Sequence, residues 1–213
     1  MSSLLVLALF FSAYALVHSL LASFPVKGWA RRAFGDGADR WYRVAYNIFA
    51  VVTLLPLFPL LAVLPDHTLY VVPAPWRWLM IGGQAYAVAG LVRALRQTGV
   101  SHFLGLSQLA AAQPAATGPL QMSGFYRCVR HPLYSFGLLF IWLTPAMTVN
   151  LLTVNIAMSI YLYIGSIHEE HRLRLEFGAA YEEYQRRVPR LIPWRGPCNP
   201  LPVAGPAKSS APQ

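Results

Sequence analysis

The sequence predicts an all-α integral membrane protein of five transmembrane helices, the last two forming a short hairpin, with a cytoplasmic amphipathic C-terminal helix after them. Three observations carry this. Of 213 residues, 56% are hydrophobic and only 12% charged, whereas a soluble domain carries about 25% charged residues. The apolar residues gather into five runs. Sixteen of the seventeen Lys and Arg fall in the segments on one side of those runs, with Arg77 alone on the other.

Residues 4–24 form an almost unbroken apolar run, long enough to cross a hydrocarbon core of about 30 Å. With no basic leader region and no small-residue cleavage site, the run reads as a retained helix and not as a signal peptide. The second run, 44–64, is interrupted by Pro56 and Pro59, a break that membrane helices tolerate when neighbours satisfy the freed backbone groups. The third, 76–95, has Arg77 and Arg93 near its ends, and its Gly82-Gly83 pair marks close helix packing. Runs 133–147 and 151–167 are short, each about 25 Å or less at 1.5 Å per residue. Only Thr148-Val149-Asn150 separates them, which predicts the hairpin.

Beyond them, Leu173, Phe177, Tyr181, Tyr184 and Val188 recur at three- and four-residue steps and mark one face of a helix over 168–188, which Pro189 ends. Residues 1–195 thus make one domain. Residues 196–213, rich in Pro, Ala and Ser, read as a disordered tail. The lopsided basic residues place the N-terminus outside and the C-terminus in the cytoplasm. They make the formal charge of +9 topological, suited to anionic lipid headgroups and not to nucleic acid. Cys128 and Cys198 both fall on the cytoplasmic side, where a disulfide is not expected. Cys128 is a conceivable nucleophile, although no base pairs with it in the sequence.

Polar chemistry is expensive in such a chain, and it crowds at both ends of the hairpin. Tyr126 to Tyr134 (Tyr-Arg-Cys-Val-Arg-His-Pro-Leu-Tyr) precedes the fourth run, and Glu169-Glu170 leaves the fifth. Pro132 suits the first turn of a helix, so His131 lies at a helix start whose N–H groups and positive dipole end suit a carboxylate or phosphate. The plain alternatives are headgroup anchoring by Arg130 and His131, and a structural salt bridge across the hairpin. A metal site is not expected: the histidines of His168-Glu169-Glu170-His171 are three apart, whereas a zinc helix wants four. No Gly-x-Gly-x-x-Gly turn, serine elbow or phosphate-binding lysine loop is present.

Five motifs in order, Ser-Gly-Phe-Tyr (123–126), Arg-His-Pro-Leu-Tyr (130–134), Glu-Glu (169–170), Phe-Gly-x-x-Tyr-x-x-Tyr (177–184) and Val-Pro-Arg-Leu-Ile-Pro (188–193), resemble the catalytic half of the isoprenylcysteine carboxyl methyltransferase and phospholipid methyltransferase superfamily. The amino-terminal half, through His18-Ser19-Leu20-Leu21-Ala22-Ser23 and Arg40-Trp41-Tyr42-Arg43, is similar to the bacterial NnrU-like and methanethiol S-methyltransferase-like branch. So are Ser101 to Gln108 and Thr144 to Thr148.

The resemblance implies an enzyme of the bacterial inner membrane that uses S-adenosylmethionine. It implies a cofactor pocket built from Gly118, Pro119, Leu120, Gln121, Tyr126, His131, Pro132, Leu133, Tyr134 and Glu169, with Glu170 beside it. Arg130, His102 and Glu170 are the candidate catalytic residues, and His102, His131 or a glutamate is the candidate base for a thiol. The prenylcysteine enzymes place an arginine in the turn before the acidic pair. Here that turn is Tyr163-Ile164-Gly165-Ser166, so a small thiol or other lipophilic acceptor fits better than a carboxylate, unless Arg130 or Arg172 substitutes. The remaining alternatives are carboxyl O- or phospholipid N-methylation, an NADPH-dependent reductase, and a non-catalytic NnrU-like protein.

Overall fold

The computed structural model describes residues 2–35, 37–110, 120–194 and Cys198. The chain begins with α1, Ser3–Ala22, capped by the Ser2 hydroxyl, which accepts from the Leu5 N–H. It is apolar all round, with Leu4, Leu5, Leu9, Leu16 and Leu20 exposed, the pattern of a helix solvated by lipid. The short α2, Phe24–Phe34, carries Lys27, Arg31 and Arg32. Next come α3, Ala38–Leu54, and α4, Leu57–Val63, one apolar stretch broken at Pro56 as the sequence predicts.

A strand, β1 (Thr68–Val71), leads to α5, Trp76–Thr98, and to the short α6 (Val100–Leu104) and α7 (Leu106–Ala110). A 3-10 turn, Gly124–Arg127, precedes α8, Pro132–Trp142. The strand β2, Ala146–Thr148, joins α8 to α9, Val149–Phe177, and α10, Ala179–Arg187, completes the described fold.

Four of these helical stretches, Ser3–Ala22, Ala38–Val63, Trp76–Thr98 and Val149–Phe177, are long and apolar enough to cross a membrane, and Pro132–Trp142 is a shorter apolar helix. The fourth predicted span is therefore cut from 133–147 to an 11-residue helix, because residues 146–148 pair antiparallel with β1, Thr68 opposite Thr148 and Tyr70 opposite Met147. The molecule is accordingly not purely helical. The fifth span and the amphipathic helix are not separate at 167/168: α9 runs through both, and the break comes at Gly178, whose φ of +53° suits glycine.

Nor do α8 and α9 form an isolated hairpin. The side of α8 packs on α5, where Gly90 lies against the Phe136 ring and Gln84 donates to the Phe140 carbonyl at 3.1 Å. Trp142 and Asn155 bridge α8 to α9 through Ser159 and the Ile141 carbonyl. At one end of the bundle Ser3 and Asn150 donate to the Pro65 carbonyl, and the Val149 N–H donates to the His67 carbonyl. At the other end α10 folds back, burying Tyr181, Tyr184 and Val188 against Leu120, Leu173 and Phe177. The apolar face read from 168–188 is thus the face that packs.

Candidate active site

The site grows from that folded-back end. After α10, the chain runs alongside the start of α8: the N–H groups of Arg130 and His131 donate to the carbonyls of Pro189 and Arg190 at 2.9 and 3.1 Å. This closes a ring of polar side chains around Glu170, which is 2% exposed. Arg130 Nε donates to its Oε1 at 2.8 Å, Arg190 donates to both oxygens at 3.1 and 2.9 Å, Gln185 donates to Oε2 at 2.8 Å, and His131 Nε2 lies 3.1 Å from Oε1. Arg130 also donates to the backbone carbonyls of Gln185 and Val188. A buried carboxylate with this many donors is satisfied as an anion.

Glu169 differs. Its side chain is 37% exposed, accepts from the Tyr134 hydroxyl at 3.0 Å, and lies 3.4 Å from His131 Nδ1. Among the described residues it makes no direct ion pair with an arginine. His131, stacked on Tyr134 with ring centroids 5.2 Å apart, thus presents both ring nitrogens to carboxylates. Burial of the ring opposes its protonation, but the hydrogen bonds and charges of Glu169 and Glu170 win, and its pKa is raised.

The structure therefore brings Arg130, His131, Tyr134, Glu169 and Glu170 together, and Pro132 and Leu133 open α8 beside them. The helix start is less open to an anion than the sequence suggests, because the His131 N–H is taken by Arg190. Tyr126 and Gln121 belong to the neighbouring wall. The Tyr126 hydroxyl is 2.8 Å from Thr98 Oγ1, the Tyr184 hydroxyl donates to the Tyr126 carbonyl, and Gln121 donates to the Gln97 carbonyl. Leu120 packs under α10. Gly118 and Pro119 lie outside the described residues.

His102 stands apart from this ring. Its Nδ1 faces Arg43 Nη1 at 3.2 Å, and its carbonyl accepts from the same nitrogen at 2.9 Å. Arginine only donates, so Nδ1 is the acceptor and Nε2 carries the proton. Burial, and then the Arg43 charge, lower the pKa of His102. Lys27 is also lowered, by burial first and then by the charges of Arg172 and Arg43, which marks a basic group converging from α2, α3 and α9.

The cysteines overturn the expectation of two free thiols: Cys128 and Cys198 are disulfide-bonded, their Cα atoms 4.7 Å apart. The return of the chain past Arg130 and His131 brings residue 198 back to 128, a proximity that spacing alone does not reveal. While bonded, Cys128 offers no nucleophile. The remainder of the predicted tail, 199–213, lies outside the described residues.

Arg190, Gln185 and Gln97 are missing from the sequence-derived set. Gln97 holds the 3-10 turn through the Phe125 N–H, and a Cβ at Gly124 would fall 2.0 Å from its Nε2. A groove along α5 lined by Ala89, Val92, Arg93, Arg96 and Gln97 meets the site only through Gln97. Among the described residues, no three His, Cys, Asp or Glu groups assemble as metal ligands.

Comparison with known proteins adds the lineage. No family model and no solved structure matches the chain. Methanethiol S-methyltransferase 2 of Bradyrhizobium diazoefficiens is 32% identical over 198 residues, spanning 90% of this chain and 73% of the relative. Methanethiol S-methyltransferase of Pseudomonas deceptionensis is 31% identical over 211 residues, with shares of 90% and 73%. That of Mycobacterium tuberculosis is 27% identical over 192 residues, with shares of 85% and 74%. With membrane-length helices and relatives matched over most of both chains, this protein belongs to the isoprenylcysteine carboxyl methyltransferase-like family, in which these methanethiol S-methyltransferases fall.

Proposed function

We propose that this chain is an integral membrane methyltransferase that uses S-adenosylmethionine to methylate the sulfur of a small, membrane-permeable thiol, by in-line transfer at the cytoplasmic membrane border. One observation carries this reading. In a family whose relatives are named for methyl transfer to methanethiol, Glu169 is half-buried and, among the described residues, makes no direct ion pair with an arginine, beside a twin that is fully neutralised.

The donor set fits the cofactor. Glu169 suits its cationic amino group, the faces of Tyr134 and Tyr126 suit adenine or a sulfonium, and Lys27, Arg43 and Arg172 suit its carboxylate. When bound, the cofactor supplies an electrophilic methyl group on a sulfonium sulfur. The chain's own work is placement. Glu170, locked by Arg130, Arg190 and Gln185, fixes the wall that carries His131 and Glu169, and Tyr134 aims Glu169. Positioning of this kind lowers a barrier by about 7–11 kcal/mol. Apolar helices on the remaining sides exclude water.

The test is methyl transfer by purified protein in detergent from labelled S-adenosylmethionine to methanethiol, a prenylcysteine analogue and an aminophospholipid. Methylation of the thiol is expected, with Glu169→Ala weakening cofactor binding about tenfold, the worth of one charge-assisted contact. No cofactor binding by the intact protein overturns the reading, and methylation of the carboxyl or amine substrate alone overturns the choice of acceptor.

A further inference from the structure

A thiol acceptor must lose its proton, and neither candidate histidine, His131 in the ring or His102 apart from it, is free to take it. Both ring nitrogens of His131 face carboxylates, and the acceptor nitrogen of His102 is covered by Arg43. His67 lies at the opposite end of the bundle, while His168 and His171 are exposed.

His18 is different. It sits within α1, half-buried, where three membrane-length helices meet: its Nδ1 is 3.0 Å from the Tyr46 hydroxyl of α3 and within hydrogen-bond distance of the Tyr161 hydroxyl of α9. The Tyr14 ring stacks on it at 5.4 Å. Among the described residues, Nε2 makes no hydrogen bond. Polar groups inside a membrane span are costly and mark functional sites.

The cluster also adjoins the site. The Tyr134 hydroxyl that holds Glu169 is within electrostatic reach of both Tyr161 and Tyr46, and Tyr161 lies about 12 Å along α9 from Glu169. The imidazole therefore stands deeper in the bundle than the carboxylate.

We propose that His18 Nε2 is the base that deprotonates the acceptor thiol, with its Nδ1–H held by the hydroxyl oxygens of Tyr46 and Tyr161. The assignment rests on the thiol methyltransferase reading. The tautomer follows from counting lone pairs: one N–H is readily shared between two oxygens, whereas the single lone pair of Nδ1 cannot take two phenol protons. In the step, the S–H proton passes to Nε2 and the sulfur electron pair forms the new S–CH3 bond. The C–S bond of the methylsulfonium donor breaks, and its pair stays on the donor sulfur. Two neutral thioethers and an imidazolium result.

A merely structural bolt between helices is separated from a base by the acidity of the acceptor. His18→Gln should lower the rate with methanethiol about 100-fold or more, the usual contribution of a general base. With an arylthiol that is already ionised at neutral pH, the loss should shrink below about tenfold. S-adenosylmethionine binding, read separately, should be unchanged, and nitrogen NMR of the labelled His18 ring should place the resting proton on Nδ1. Equal losses with both thiols, no loss with either, or a proton on Nε2 overturns the assignment while leaving the thiol reading intact. Absence of transfer by the unaltered protein overturns both. Should His18→Gln bind no cofactor, Tyr46→Phe combined with Tyr161→Phe gives the same comparison, a selective loss with the alkyl thiol supporting the base and an equal loss with both thiols overturning it.

Discussion

Glu169 and Glu170 are neighbours on one helix, yet they face different worlds, because consecutive residues of an α-helix point about 100° apart. Glu170 turns into the ring of Arg130, His131, Gln185 and Arg190, while Glu169 turns to Tyr134 and the open side. Removing Glu170 strands the guanidinium of Arg130, whose side chain is 9% exposed. Glu170→Ala should therefore cost about 3–5 kcal/mol, read as a lowered thermal midpoint in detergent, whereas Glu169→Ala should unfold close to the parent and bind the cofactor about tenfold more weakly. Which residues meet here was largely legible in the sequence. Arg130, His131, Tyr134 and both glutamates stand out because charge is scarce in so apolar a chain. Gln185 does not, since α10 is rich in polar side chains and no pattern shows which of them turn inward. Nor does Arg190, since only the return of the chain past the start of α8 brings it to Glu170. His18 opens the His-Ser-Leu-Leu-Ala-Ser stretch that resembles the thiol branch, but no pattern in the sequence shows that Tyr46 and Tyr161 meet its ring.

At the scale of elements, close approach between α5 and α8 depends on glycine. A Cβ at Gly90 would sit 2.4 Å from the Phe136 ring, while one at Gly82 would meet nothing within 4 Å. Gly90→Ala should thus destabilise by about 1–3 kcal/mol through overpacking, and Gly82→Ala should stay within about 0.5 kcal/mol of the parent; denaturation in detergent compares the two. The elements also show where hydropathy misleads. It marks where the surroundings change, not where the backbone does. The apolar run ends at Ile167, but the peptide hydrogen bonds of α9 continue to Phe177 and stop only at Gly178. Conversely, the run 133–147 stays apolar past Trp142, yet its last residues leave the helix to pair with β1, a long-range contact that no local window contains.

For the whole molecule, the two ends of the bundle are unlike. One end, with β1, β2 and Asn150, holds Arg77 bonded to the Val72 carbonyl; the other gathers Lys27, Arg43, Arg130, Arg172 and Arg190 around the site. By the positive-inside rule, alkaline phosphatase fused after Asp66 should be active in a Gram-negative host, and a fluorescent protein fused after Trp194 should fold in the cytoplasm. The reverse pattern would overturn this orientation. The chain also carries its own depth gauge. At 1.5 Å per residue, the 29 residues of α9 measure about 43 Å, roughly 13 Å more than the hydrocarbon they cross. With Val149 level with one boundary, Glu169 stands about 30 Å away, at the other. A reagent dissolved in water and one dissolved in oil can meet at that depth without either being carried through the medium it avoids.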